Sequence, residues 1–147
     1  MEHLRGTNVM FAIVMALLVV QSSTRPQPDE LDDIKKTLYN ACSEKFPLTE
    51  EIKNNVKNSI VIDDQNFKCF LRCCFDEMSL IDEDGIIDGE SLAAMAVDKI
   101  KPVAEKIVHD CLPAGKQEKQ DGCEAAFKFF SCGIKLNPLT IELLPLQ

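Results

Sequence analysis

The sequence predicts an all-α fold: a compact, disulfide-linked bundle of about six helices in a single domain. Three observations predict it. Apolar residues recur at helical spacing through most of the chain. The seven cysteines fall in those periodic segments or at their ends. The turn-rich composition of an all-β protein is missing, with six Gly, no Trp and one Tyr among 147 residues. The apolar fraction of 46% is enough to build a core and too high for a disordered chain. Sixteen Lys and Arg against 24 Asp and Glu leave a net charge of −8. That balance argues against nucleic acid as a partner, because phosphates demand basic surface. It argues equally against a polybasic membrane-surface protein.

Residues 1–22 read as a signal peptide. Arg5 precedes an unbroken apolar run from Met10 to Val20, and the small polar residues Ser22, Ser23 and Thr24 follow. The run is too short to span about 30 Å of hydrocarbon. The cut is expected after Ser22 or Ser23, with Val20 and Ser22 the better small-residue pair, and no later segment is apolar enough for stable membrane insertion. The mature domain, 23–147, is therefore expected to be secreted and extracellular, where cysteines oxidise.

Pro26 and Pro28 precede a first helix over 29–45, striped by Leu31, Ile34, Leu38, Ala41 and Cys42. Asp29, Glu30, Asp32 and Asp33 load its first turn, where the helix dipole favours negative charge. Pro47 ends it. Thr49 caps a short second helix, which Asn54, Asn55 and Asn58 weaken. The clearest helix spans 66–78, and Asp82 to Gly85 form a turn. The stretch 90–111 is again helical, with Pro102 splitting it or opening its second piece. A last helix starts at Asp121, with Glu124 three residues on, and is expected to stop near Cys132 at Gly133. The tail, 137–147, alternates Leu139, Ile141 and Leu143 between Pro138 and Pro145, which reads as an extended apolar segment docked on the body.

The helix from Asn66 places Phe67, Phe70, Leu71, Cys74, Phe75 and Met78 on one face, since successive residues turn by about 100°. Cys69 and Cys73 fall on the other side. Four residues apart on one helix, they cannot easily bond each other and should reach two different helices. Cys74, in the middle of the apolar face, is the natural free thiol, a small buried hydrophobe rather than a nucleophile. Spacing alone leaves the pairing of the other six open.

The order of one cysteine, Cys69-x3-Cys73, Cys111, then Cys123-x8-Cys132, together with Lys68-Cys69-Phe70-Leu71-Arg72-Cys73, resembles the insect odorant-binding proteins of the pheromone-binding and general odorant-binding type. The likeness runs from about Leu31 to Cys132, and Cys74 departs from the six-cysteine pattern. It implies bridges Cys42–Cys73, Cys69–Cys123 and Cys111–Cys132. It also implies a bundle around an internal hydrophobic cavity that carries small hydrophobic ligands such as odorants or pheromones. Ties of this kind stabilise by about 2–4 kcal/mol each, so a helical shell can hold an unfilled centre. The candidate lining residues are Phe67, Leu71, Cys74, Phe75, Met78, Leu92, Met95, Ile107, Phe127 and Phe130, with Tyr39 to orient a polar group. A membrane odorant receptor follows from the likeness only as an indirect partner, and the expected state is a monomer or weak homodimer.

Catalytic and metal chemistry find little support. With Gly85 at the sixth position of a calcium loop, the first and twelfth ligands would be Leu80 and Ser91, and the first lacks a side-chain oxygen. No His stands at zinc-ligand spacing from the cysteines. Phe75, rather than a catalytic His, follows the paired cysteines, and no phosphate loop or nucleophile elbow occurs. No cofactor is expected. His109, the lone histidine of the mature chain, is a candidate pH switch because its ordinary pKa is near about 6.5. The competing reading is a secreted cysteine-rich protein ligand or effector acting through a protein partner.

Overall fold

The structure is a computed structural model that describes residues 28–113 and 117–146. The expected signal peptide lies outside the described residues. Among the described residues six α-helices follow in order: α1 (Pro28–Lys45), α2 (Glu50–Lys57), α3 (Gln65–Glu77), α4 (Gly89–Met95), α5 (Lys101–Cys111) and α6 (Gly122–Leu136). A 3-10 helix, Pro138–Leu143, closes the chain.

Local chemistry sets most helix starts. Thr49 Oγ1 accepts the Ile52 amide at 3.2 Å to cap α2, and Asp64 accepts the Phe67 amide at 2.9 Å to cap α3. Asp88 and Asp121 do the same for α4 and α6, through the amides of Ser91 and Glu124. Each side chain satisfies a donor that has no partner within its own helix. The break expected near Pro102 falls ahead of it: Ala96 turns to extended backbone, and Pro102 lies in the first turn of α5. There its missing N–H costs nothing.

Helix α3 is the centre of the molecule. Phe67, Phe70, Leu71, Cys74 and Phe75 are buried along it, and it packs against α6 on one side and α1 on the other. Phe67 meets Phe127 and Phe130 edge-on at 6.3 and 5.9 Å, and Phe75 meets Phe129 at 6.0 Å. These edge-to-face contacts suit the ring quadrupoles. Three disulfides frame the packing. Cys42–Cys73 joins α1 to α3, Cys69–Cys123 joins α3 to α6, and Cys111–Cys132 joins α5 to α6. Cys74 is free and buried.

The turn at Asp82 to Gly85 is present and set in a wider frame, while the end of α6 and the tail differ from the sequence reading. The turn at Asp82 belongs to a small antiparallel hairpin, with an isolated bridge between Ile81 and Ile87. Asp82 Oδ1 accepts the amides of Asp84 and Ile86, and Gly85 takes φ +74° at the tip. Leu80, Ile81 and Ile87 are buried beneath it. Helix α6 does not stop at Gly133 but runs on to Leu136. A Cβ at Gly133 would stand 2.8 Å from Thr140 Cγ2 and 3.2 Å from Ile107 Cγ2, so this glycine permits close approach rather than chain reversal. The tail is not extended. Asn137 caps a 3-10 turn through the Leu139 amide at 3.0 Å, with Pro138 in its first turn. The three-residue period of that turn, rather than the two-residue alternation of a strand, brings Thr140 down onto Gly133.

Candidate ligand cavity

A cavity of about 380 Å³ opens at the end of the bundle where α3 finishes. Helix α1 supplies Ile34 and Leu38, and the C-terminal end of α3 supplies Phe75 and Met78. Leu92 and Met95 come from α4, Val97 and Ile100 from the break before α5, and Phe129 and Phe130 from α6. Leu144 and Pro145 bring the tail across it. Ile34 and Met95 are 43% and 53% exposed and line the cavity all the same, so they mark its mouth, between α1 and α4. The side chains of Lys35, Thr140 and Glu142 are the polar ones in the wall. Burial of an apolar molecule is the one thing such a wall does well, at about 25 cal/mol per Å² removed from water.

The ten residues named from the sequence divide between this cavity and the solid core. Phe75, Met78, Leu92, Met95 and Phe130 line it. Phe67, Leu71 and Cys74 do not; they pack in the filled centre with at most 1% exposure. Phe127 packs on Phe67 and beneath the Lys68 ammonium, 5.0 Å from its ring centroid. Ile107 packs against Gly133 and borders a separate groove of about 170 Å³, beside Pro102 and Leu136. The apolar face of α3 is longer than the cavity. Eight residues of helix separate Phe67 from Phe75, about 12 Å at 1.5 Å per residue, and only the later end reaches open space. Tyr39 stands edge-on to Phe70 at 6.0 Å instead of facing the cavity.

Leu80, Val97, Phe129 and Leu144 are wall residues that the helical stripes did not single out, whereas Ile100 belongs to the apolar stripe of 90–111. Their one signal is apolarity, beside a helix end for Leu80, Val97 and Leu144 and within α6 for Phe129, which an ordinary core residue shares.

The Cys74 thiol is pushed up to about 12 by burial, with the Glu77 carboxylate adding to the rise, so it is neither a thiolate nor a nucleophile at neutral pH. His109 lies on the outer face of α5 with a side chain 87% exposed, its Nδ1 2.7 Å from Asp110 Oδ1. It does not line the cavity. Lys106, with His109 as a second contributor, holds the Asp110 carboxyl below its ordinary value. Among the described residues no group of three or more His, Cys, Asp or Glu could hold a metal ion, and no helix is long and apolar enough to cross a membrane.

Residues 25–135 match the model of the PBP/GOBP family. The chain belongs to the PBP/GOBP family. General odorant-binding protein 69a of Drosophila melanogaster is 28% identical over 133 residues, covering 86% of this chain and 88% of that one. General odorant-binding protein 72 of Anopheles gambiae is 27% identical, covering 75% and 93%. The crystal structure of a medfly odorant-binding protein superposes with a TM-score of 0.61 at 32% identity, over 74% of this chain and 92% of that one. Odorant-binding protein 7 of Anopheles gambiae, solved with four disulfide bridges and in complex with an azo compound, shares the fold with a TM-score of 0.65 at 23% identity, over 82% and 98%. As a PBP/GOBP member the chain is a carrier and not an enzyme.

Proposed function

We propose that this protein is a secreted carrier that takes small hydrophobic ligands, odorants or pheromones among them, into the cavity between α1, α4, α6 and the tail. It moves them through aqueous extracellular fluid and delivers them toward a membrane receptor without itself entering the membrane. The observation that carries this reading is the cavity: about 380 Å³ of space walled by aliphatic and aromatic side chains, in a helical fold tied by three bridges. A void of that kind lowers stability by on the order of 20–25 cal/mol per Å³ when empty. A fold that keeps one gains from an occupant, and the covalent ties hold the walls apart in its absence. Met78 and Met95 suit varied ligand shapes, because an unbranched thioether adapts its rotamers readily. The family membership and the azo-compound complex of the mosquito protein agree with it.

The tail closes the cavity in this reading. Thr140, Leu144 and Pro145 are buried while lining it, so the tail forms part of the wall that retains an occupant. Native mass spectrometry of the secreted protein tests the whole proposal, since it reports carried ligand, bridge count and subunit number together. A mass shift from a bound apolar molecule and a single subunit, or a weak pair, are expected. A protein that takes up no apolar probe yet binds a receptor domain at low concentration would be an effector instead.

A further inference from the structure

A large part of the cavity wall belongs to a stretch of chain that no disulfide ties. Met78, Leu80, Leu92, Met95, Val97 and Ile100 line the cavity, and no cysteine stands between Cys74 and Cys111. Within this stretch the hairpin and α4 are joined. The Asp88 amide donates to the Leu80 carbonyl at 2.9 Å, and the Asp88 side chain caps α4 through the Ser91 amide at 3.0 Å. The Asp82 amide donates in turn to the Ile86 carbonyl at 3.0 Å, so residues 86 and 88 spend their bonding groups inside the hairpin. Ile87, between them, turns its N–H and carbonyl to the open edge, because bonding direction alternates along a strand. Ile87 is 3% exposed, and backbone groups shielded from water are costly to leave bare.

Gln117 satisfies both. Its Oε1 accepts the Ile87 amide at 3.0 Å, and its Nε2 donates to the Ile87 carbonyl at 2.6 Å. A primary amide carries a donor and an acceptor, as a peptide group does, so this side chain closes the edge in the manner of a one-residue third strand. The residues after it follow the hairpin. The Gln120 amide donates to the Asp84 carbonyl at 2.9 Å, and a Cβ at Gly85 would stand 2.5 Å from the Gln120 carbonyl oxygen. Lys119 pairs with Asp84 at 2.5 Å, an exposed contact that contributes little. Residues 117–120 lie between Cys111 and Cys123, which are bridged to Cys132 and Cys69. The strap is thus anchored to the covalent frame, and Gln117 is its hold on the buried strand.

We propose that Gln117 is a positioning residue for ligand binding. Through Ile87 it relays the rigidity of the two bridges to the hairpin and α4, and so sets how closely the unbridged wall fits an occupant. The inference rests on the carrier reading and adds to it the residue that holds the wall where no disulfide reaches.

Gln117→Met and Gln117→Glu test it, by titration with the fluorescent probe N-phenyl-1-naphthylamine well below the melting temperature, with circular dichroism to establish that each protein is folded. At pH 7 both variants should bind the probe about fivefold more weakly than the parent, the ratio that one net hydrogen bond supplies. Met offers neither bond, and an ionised carboxylate would face the Ile87 carbonyl. That carbonyl also raises the new carboxyl above the ordinary glutamate value of about 4.3, so acidification to about pH 4 protonates it. It then donates to the Ile87 carbonyl and accepts the amide as Gln117 does, and Gln117→Glu should regain nearly the parent's affinity while Gln117→Met does not. Asp82, Glu83, Asp84 and Asp88 on the hairpin and Glu118, Lys119 and Asp121 beside Gln117 are the same in all three proteins, so their titration cancels in the comparison. A lower Tm with unchanged probe affinity would make Gln117 a purely structural residue and overturn the proposal. A Gln117→Glu protein that follows Gln117→Met at both pH values would overturn it as well. A parent that binds no probe would instead overturn the carrier reading itself.

Discussion

Lys68 and Glu124 form an ion pair of 2.6 Å alongside the Cys69–Cys123 bridge, so α3 and α6 are joined at neighbouring positions by one covalent and one ionic tie. Lys68 also meets Asp63 at 2.6 Å and lies over the Phe127 ring. The residue is 8% exposed, and two carboxylates and an aromatic face replace the water it loses.

The hydrogen bond to Asp63, followed by that to Glu124, raises the Lys68 pKa above its ordinary value. A raised lysine stabilises the fold below its unfolded pKa, and that contribution is lost as pH rises through the folded one. Glu124→Gln should therefore lower Tm at pH 7, with the gap to the parent narrowing once pH rises past the ordinary lysine value of about 10.4. Thermal melts followed by circular dichroism at the two pH values measure it. A gap that stays the same width would show that lysine charge is not its source.

Cys74 supplies a second pH signature. Burial raises its thiol to about 12, whereas an unfolded cysteine ionises near about 8.5. Its neutral form is favoured in the fold, so stability is full below the unfolded value and falls as pH climbs between the two. Cys74→Ala should flatten that alkaline decline, at the cost of a small cavity. In the parent, a thiol reagent at pH 8 should label nothing in the folded protein and one thiol per chain in guanidinium. Fast labelling under native conditions would contradict the burial.

Gly133→Ala drives a methyl group toward Thr140. Overpacking of this kind costs about 1–3 kcal/mol. The strain falls on the 3-10 helix, so probe affinity should drop along with Tm. Adding Thr140→Ser removes the clashing Cγ2 and should restore most of both. Without that rescue, the contact between Gly133 and Thr140 would not be the cause.

Removal of residues 138–147 takes away Thr140, Glu142, Leu144 and Pro145 from the cavity wall. Weaker retention and faster release of an apolar probe are expected in stopped-flow measurements. Unchanged affinity and rate would mean that the tail is no lid. His109→Ala serves as the companion variant: with an exposed ring directed at Asp110, it should leave the pH dependence of binding as in the parent. A flattened profile between pH 7 and 5 would make His109 a switch acting from outside the cavity.

The sequence by itself determined the helices and the free thiol. Helical stripes, capping Asp and Thr side chains and proline placement act within a few residues, and they locate α1 to α6 to within about a turn, apart from the C-terminal ends of α4 and α6. The position of Cys74 on the apolar face of α3 was legible for the same reason. Pairing of the remaining cysteines needed more than spacing, since several partners satisfy the same geometry. The cavity was decided by tertiary structure alone. Phe67 and Phe75 share one stripe and one chemistry, yet Phe67 is enclosed by Phe127 and Phe130 while Phe75 borders open space. What separates them is how far α4, the tail and the end of α1 stand from α3, and that is set by contacts between residues far apart in the chain. The role of Gly133 was hidden for the same reason. A glycine near a helix end reads as a stop until the segment that packs against it, here Thr140, is in place.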